Sequence, residues 1–123
     1  MWLFTRYGFF SIVSDWTEAG RLLIRARRKK HLQALQTRFP ELSSLEISRT
    51  DDRDYRYRFV IAKDRWVPIL SELAREQTWT NFKDEVGRFQ QKDGSDYTHV
   101  LNQVWNLMKK FQDSAPSTDD PTQ

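Results

Sequence analysis

Arginine is the side chain whose spacing in this sequence best suits a binding site. Basic residues alternate along two strand-like segments and follow the first of them directly: Arg21, Arg25, Arg27, Lys29, Lys30, Arg56 and Arg58. Alternate residues of a strand share one face of a sheet, so we expect the five arginines to point the same way. A guanidinium offers a planar fork of donors to phosphate or carboxylate, and clustered arginines release counterions on binding a polyanion. The pattern predicts a face that binds nucleic acid or another acidic partner.

An ordinary solvated sheet face would use the same residues. Charged side chains are common on the water-facing side of antiparallel sheets, and they protect edge strands from pairing. Four acidic residues lie close enough in sequence to neutralise several arginines: Glu46, Asp51, Asp52 and Asp54. Three aromatic residues alternate with Arg56 and Arg58 and are expected to face away from them: Tyr55, Tyr57 and Phe59. This alternation argues against base stacking beside the arginines.

The charge of the chain is concentrated in its central part. Residues 21–65 carry 13 Lys and Arg against 6 Asp and Glu, a net +7, whereas the whole chain carries +3. Such asymmetry favours an acidic partner.

Aromatic residues near the N-terminus form a second candidate surface. Five of them fall within ten residues, too many for one half-buried strand: Trp2, Phe4, Tyr7, Phe9 and Phe10. Large aromatic side chains usually fill cores, but exposed ones indicate a pocket or an interface. The last predicted helix carries a wide apolar stripe that includes Trp105 and suggests another subunit. We therefore assign Trp2, Phe4, Tyr7 and Trp105 to a predicted interface.

Catalytic and metal motifs are missing from the sequence. The absence of cysteine excludes thiolate chemistry and Cys-ligated metals. His31 and His99 have no second ligand at helical spacing, the acidic turn at 51–54 lacks the pattern of a calcium loop, and the four glycines form no nucleotide fingerprint. We predict no catalytic residue, metal or cofactor; these absences favour a non-enzymatic protein and leave the question of an enzyme open.

The periodicity predicts an α+β chain in the order β-β-α-β-β-α-α-α. The predicted strands cover Phe9–Ser14, Arg21–Arg27, residues 45–48 and Tyr55–Ala62, with Met1–Phe4 as an extension of the first strand bent at Gly8. The first predicted helix runs from Arg28 to Phe39, and the second begins after an N-cap at Asp64. The third covers Phe82–Phe89 after an N-cap at Asn81, and the fourth runs from Asp96 to about Gln112. We expect a four-stranded antiparallel sheet with helices on one face, compatible with a ferredoxin-like sandwich whose last strand has moved to the front.

Residues 1–113 are expected to form one domain, because a domain of this size needs the whole segment for its core. Residues 114–123 are almost free of apolar side chains and are predicted to be a disordered tail. The start lacks the basic cluster and cleavage site of a signal peptide, and no window approaches the ~20 apolar residues of a membrane span. These features predict a cytoplasmic protein without membrane contact.

Three segments resemble a family of small bacterial proteins of unassigned function. They are Met1–Thr5 with Gly8–Ser11, Asp54–Arg58 and Asn81–Lys83. The resemblance covers most of the chain except the tail and implies a bacterial, cytoplasmic origin. It implies no activity, ligand or catalytic residue.

Three functional hypotheses follow from the sequence. The first is a small non-enzymatic binding module that holds nucleic acid or an acidic protein on the arginine face. The second is a homo-oligomeric interaction or adaptor protein that uses the N-terminal aromatics and the last helix. The third is a ligand-binding or enzymatic domain with a pocket between the sheet and the C-terminal helices.

Overall fold

The computed structural model describes residues 1–51, 53–90, 96–116 and 118. The chain divides into two compact units, Met1–Thr80 and Asn81–Gln123. The first unit contains a sheet and two α-helices, and the second contains two α-helices, so the α+β class is confirmed. One domain over residues 1–113 stays a prediction, and most of the predicted tail lies outside the described residues.

The sheet of the first unit has five antiparallel strands where the sequence predicts four. They are β1 (Trp2–Thr5), β2 (Gly8–Ser14), β3 (Arg21–Ala26), β4 (Ser48–Arg49) and β5 (Tyr57–Ala62), in the order β1-β2-β3-β5-β4. The additional strand is β1, which pairs with β2 from Trp2 opposite Ser11 to Thr5 opposite Gly8. The permuted ferredoxin-like arrangement is not confirmed.

Gly8 explains why the N-terminal segment forms a hairpin instead of one bent strand. Its φ of 150° favours glycine, and a Cβ at this position would lie 2.1 Å from Cγ of His31. The hydroxyl of Thr5 accepts hydrogen bonds from the amides of Tyr7 and Gly8 at 3.1 and 3.2 Å and donates to the Gly8 carbonyl at 2.9 Å. These bonds close the two-residue loop between β1 and β2.

One face of the sheet packs on helices α1 (Lys29–Arg38) and α2 (Lys63–Arg75), which fill the core of the first unit. The buried residues alternate along the strands and recur at helical spacing; they include Phe10, Ile12, Leu22, Ile24, Phe59, Ile61, Leu32, Leu35, Trp66 and Ile69. A short 3₁₀-helix, Pro40–Leu42, follows α1 and buries Leu42. Asp64 lies inside the first turn of α2 and is not its N-cap, because the helix begins at Lys63 after Ala62.

The second unit consists of α3 (Phe82–Phe89) and α4 (Asp96–Asp113), which contact each other. The Asn81 side chain accepts a hydrogen bond from the Asp84 amide at 3.0 Å, so the predicted N-cap of α3 is confirmed. Val86, Tyr97 and Leu101 are buried. Among the described residues, no helix has the length and apolar content needed to cross a membrane.

Candidate binding face of the sheet

The candidate site lies on the sheet face opposite α1 and α2, which we call the outer face. Five residues lie directly opposite one another, strand by strand, across the whole sheet: Trp2, Ser11, Arg25, Arg58 and Ser48. Paired residues of antiparallel strands project to the same side, so this row defines the outer face. Neighbouring strands are ~4.8 Å apart, which makes the row ~19 Å long. The same face carries Phe4, Phe9, Val13, Leu23 and Val60.

Arg25 and Arg58 are the arginines that the sheet brings together. They are cross-strand partners, and both are half-buried. Arg25 donates to the Ser11 hydroxyl at 2.8 Å, and Arg58 donates to the Tyr55 carbonyl at 2.9 Å. Like charges directly opposite each other destabilise a sheet, so this pairing costs folding free energy.

Arg25 has an unusual set of neighbours for a half-buried cation. The described residues offer it a hydroxyl and an aromatic ring but no carboxylate partner. Within that part of the chain, no acceptor lies within hydrogen-bonding distance of its buried Nε. A buried donor without an acceptor costs about 1–3 kcal/mol.

Arg21, Arg27 and Arg56 each contact a carboxylate. Arg21 contacts Asp15 at 2.7 Å and Glu18 at 3.0 Å, so its charge is more than balanced. Asp15 accepts hydrogen bonds from the Thr17 amide and hydroxyl and from Arg21, so the cluster stabilises the turn after β2; the bonds from Thr17, and then Arg21, lower the Asp15 pKa. Arg21 therefore lies on the predicted strand, but its two carboxylate contacts exclude it from the candidate binding site.

Arg27 and Arg56 are held more loosely. Arg27 lies 3.5 Å from Asp54, and Arg56 lies 3.5 Å from Asp51, which also binds Arg49 at 2.7 Å. Exposed ion pairs contribute only about 0–1 kcal/mol, so an incoming phosphate can replace these carboxylates. Both arginines remain candidates at the margin of the outer face.

The two lysines do not belong to the row. Lys29 and Lys30 are exposed at the start of α1, the helix that packs on the opposite face of the sheet. They add positive charge near the end of β3 without lying on the outer face.

Tyr55 corrects the expectation that the aromatics beside Arg56 and Arg58 face away. It precedes β5, and its ring centroid is 4.6 Å from the Arg25 Cζ and 4.4 Å from the Arg27 Cζ. The strand alternation therefore does not extend to Tyr55, whereas it places Phe59 in the core as expected. Both distances are within the range of cation–π contacts.

The N-terminal aromatics extend this group toward the edge of the sheet. The Phe9 ring stacks on Phe4 at 4.5 Å, meets Trp2 edge to face at 5.7 Å, and lies 6.4 Å from Tyr55. We call Trp2, Phe4, Phe9 and Tyr55 the aromatic cluster. Trp2 is 70% exposed, so its ring is available to a ligand on this face.

Tyr7 is not part of any exposed surface. It is 3% exposed, and its hydroxyl donates to Glu76 Oε1 at 2.7 Å. Burial and the hydrogen bond to Glu76 raise the Tyr7 pKa. Glu76 also accepts from Arg38 Nε at 2.9 Å and lies 3.6 Å from Arg6, so the group ties the hairpin to the ends of α1 and α2. The assignment of Tyr7 to the interface was wrong, because its side chain points to the core.

His31 also has a structural role. Its Nδ1 accepts a hydrogen bond from the Phe9 amide at 3.2 Å, and the ring lies against Gly8. Burial, assisted by the nearby Arg28 charge, lowers the His31 pKa to about 4. The imidazole is therefore neutral near pH 7 and supports the hairpin that carries the aromatic cluster.

Sequence reasoning did not identify Ser11 and Tyr55 as members of the site, and it named Phe9 among the N-terminal aromatics without placing it beside the arginines. Alternation along β2 places Phe9 and Ser11 on the same face, which was a usable signal. The alignment of Ser11 with both Trp2 and Arg25 depends on strand register, and no local pattern specifies it.

The second unit exposes a separate apolar surface on α4. An apolar stripe runs along the helix at alternating spacings of four and three residues: Tyr97, Leu101, Val104, Met108 and Phe111. Tyr97 and Leu101 are buried, whereas Met108, Phe111 and the neighbouring Trp105 are exposed. They line an open groove of about 740 Å³ that continues to residues 114–116. Lys83 Nζ lies 4.8 Å from the Trp105 ring.

Metal chemistry finds no support in the described part of the chain, where no group of His, Asp and Glu could hold an ion.

We find no matching family model, curated protein or solved structure for this chain. The resemblance to a small bacterial family therefore stays a prediction.

Proposed function

We propose that this protein is a binding module that holds nucleic acid on the outer face of its sheet. The observation that carries the proposal is the row from Trp2 through Ser11 and Arg25 to Arg58, which places an exposed aromatic ring on the same sheet face as two cross-strand arginines. Guanidinium groups suit phosphates, and aromatic rings suit bases.

The charge around the row supports an anionic ligand. Residues 25–30 and 49–58 together contain nine basic and three acidic residues. Basic residues remain in excess even when each of the three acidic residues is taken to neutralise one of them. A net positive surface of this kind raises the rate and affinity of polyanion binding at low ionic strength.

The aromatic cluster favours nucleic acid over an acidic protein. A carboxylate-rich peptide would use the arginines but would gain nothing from the exposed Trp2 ring. Phe9 packs edge to face against this ring and Phe4 stacks on Phe9, so the three rings form a continuous apolar strip. Bases are flat and stack on such strips.

The proposal is tested by fluorescence anisotropy with a labelled oligonucleotide from 50 to 200 mM salt. Each phosphate contact contributes a slope of about −0.7 in log K against log salt for single strands. We expect Arg25→Met and Arg58→Met each to weaken binding and to reduce this slope by about 0.7. Arg75→Met is the matched control, because Arg75 is exposed on α2, away from the outer face.

Two results would remove the proposal. One is the absence of binding at the lowest salt. The other is equal loss of affinity in Arg75→Met and Arg25→Met, since net charge alone would then account for the interaction. Preference for a polyglutamate chain over the oligonucleotide would reassign the face to an acidic protein.

Self-association through α4 is the second candidate function. If each side chain contributes ~200 Å² when fully exposed, Trp105 and Phe111 at 51% and 73% exposure present about 250 Å² of surface. Leu107 and Met108 add to this patch, which reaches the range of interaction sites. A second copy of α4 is the occupant we propose, because a stripe with alternating four- and three-residue spacing packs against another such stripe.

Sedimentation equilibrium at high protein concentration tests this second candidate. We expect the wild-type chain to dimerise and Phe111→Glu to be monomeric. Asn102→Glu is the control, since Asn102 is exposed on the side of α4 opposite Phe111. A monomeric wild-type chain at the highest concentration would exclude the proposal. The pocket between the sheet and the C-terminal helices stays a prediction, as do the cytoplasmic location and the bacterial origin.

A further inference from the structure

We infer that the nucleic acid held by the outer face is single-stranded and that one of its bases stacks on Trp2. This inference rests on the proposed function and adds the class of ligand and the residue that recognises it. Trp2 is the most exposed member of the aromatic cluster, and its ring is the feature that favours a single strand over a duplex.

The Trp2 ring is exposed but not loosely held. Its residue pairs with Ser11 in the sheet, and the preceding carbonyl of Met1 accepts a hydrogen bond from the Ile12 amide at 2.8 Å. The indole also meets the Phe9 ring edge to face at an interplanar angle of 87°. With 70% of ~200 Å² exposed, about 140 Å² of aromatic surface is presented in a defined orientation. A ligand that stacks on this ring loses little entropy in ordering the protein.

Base stacking requires an unpaired base. In a duplex each base is covered by its neighbours, and a protein reaches only groove edges and phosphates. In a single strand the base faces are open, and stacking on an aromatic side chain tolerates any sequence. An exposed indole beside arginines therefore favours single strands, without strong sequence preference.

The distances along the row suit a strand laid across the sheet. Arg25 is two strands away from Trp2, a separation of ~10 Å, and Arg58 is three strands away, ~14 Å. Ser11 lies between Trp2 and Arg25 and is 2% exposed, because the Arg25 side chain reaches back over it to its hydroxyl, so a strand on this path meets Arg25 directly beyond Trp2. A base on Trp2 thus leaves the phosphates of nearby nucleotides over the two arginines. Tyr55 is 4% exposed and packs against Arg25 and Arg27, so it supports the two arginines and offers no open ring face to a base.

The test uses the full chain with an oligothymidine of ~12 nucleotides, a length within the range that one small domain covers, and with a duplex of equal length. Anisotropy gives the affinity, and quenching of tryptophan fluorescence reports stacking. Trp2→Ala removes the ring, and Trp2→Phe retains a smaller one. Trp16→Ala is the matched control, because Trp16 is 89% exposed in the loop between β2 and β3.

We expect the single strand to bind more tightly than the duplex. Loss of one stacked base should make Trp2→Ala about tenfold to hundredfold weaker on the single strand while leaving the salt slope unchanged. Trp2→Phe should retain most of the affinity, and Trp16→Ala should match the wild type. An abasic strand should bind wild type and Trp2→Ala equally, which separates stacking from any change in folding.

Several results would overturn the inference. Equal affinity for single strand and duplex, with no effect of Trp2→Ala, refutes stacking but leaves the proposed function intact if the salt slope still depends on Arg25. Loss of self-association in Trp2→Ala, without loss of oligonucleotide affinity, would assign the ring to a second copy of the chain. Absence of binding to both nucleic acids at low salt would remove the proposed function itself.

Discussion

Replacing Gly8 with alanine should destabilise the hairpin that carries the aromatic cluster. Two physical costs combine at this position. The backbone φ of 150° belongs to a region that only glycine adopts readily, and holding another residue there costs about 1–3 kcal/mol. The new Cβ would also lie 2.1 Å from Cγ and 2.5 Å from Nδ1 of His31, so the imidazole must move.

Moving His31 adds to the cost of the alanine. The imidazole accepts the Phe9 amide hydrogen bond, and losing a bond of this kind costs about 1 kcal/mol or more when the donor is left buried. Together the two effects predict a loss of about 2–4 kcal/mol in the free energy of unfolding, a large part of the ~5–15 kcal/mol of a typical domain. Urea unfolding followed by circular dichroism measures this loss.

Two comparisons separate the causes. Gly20 has a φ of 82° and no atom within 4 Å of a Cβ, so Gly20→Ala should show only the backbone cost of about 1–2 kcal/mol. In a His31→Gly background the collision is absent, and Gly8→Ala should fall to a similar value. If Gly8→Ala costs no more than Gly20→Ala in the wild-type background, the close approach of His31 to the hairpin is refuted.

The remaining predictions concern two ionisable groups of the first unit. The folded-state pKa of His31 is about 4, against 6.5 for the free side chain, so the unfolded chain binds the proton more readily. The stability associated with neutral His31 is complete above pH 6.5 and is lost as the pH falls toward 4, by about 3 kcal/mol in total. His31→Gln should remove this part of the pH dependence in urea unfolding at several pH values, and an unchanged pH profile would contradict it. Glu76→Ala deprives the Tyr7 hydroxyl and Arg38 of their shared acceptor and should lower the free energy of unfolding by about 2–4 kcal/mol. Glu72→Ala is the control, because Glu72 makes only an exposed contact of 4.0 Å with Arg75, and it should lower the free energy of unfolding by at most about 0.5 kcal/mol. Equal losses in the two variants would show that the Glu76 network does not stabilise the fold.

Local sequence patterns predicted most of the secondary structure because the alternation of a strand, the apolar stripe of a helix and an N-cap each depend on residues that are close together in the chain. The alternation of buried residues along Arg21–Ala26 and along β5, and the stripe of α1, appear in the structure as expected. Asn81 caps α3 because its short side chain reaches the Asp84 amide without help from the rest of the fold. The separate strand β1 was missed because the hairpin depends on the contact between Gly8 and His31, 23 residues later in the chain.

The candidate site was only partly visible in the sequence. Arg25 and Arg58 were placed on one face correctly, whereas Arg21 forms ion pairs at the end of its strand and Tyr7 lies in the core. Tyr55 was expected to face away because alternation was extended beyond the strand. Its contact with Arg25 arises from the loop before β5, where the period of two no longer applies.

By itself the sequence determined the α+β class, the buried faces of the main strands and helices, and the positive charge of the central segment. These properties depend on residue type and on spacing within single elements. Only the tertiary structure aligned Trp2, Ser11, Arg25 and Arg58 in one row and brought Tyr55 to the arginines. The reason is that strand register and loop packing are decided by contacts between residues distant in the chain, whose energies no local pattern contains.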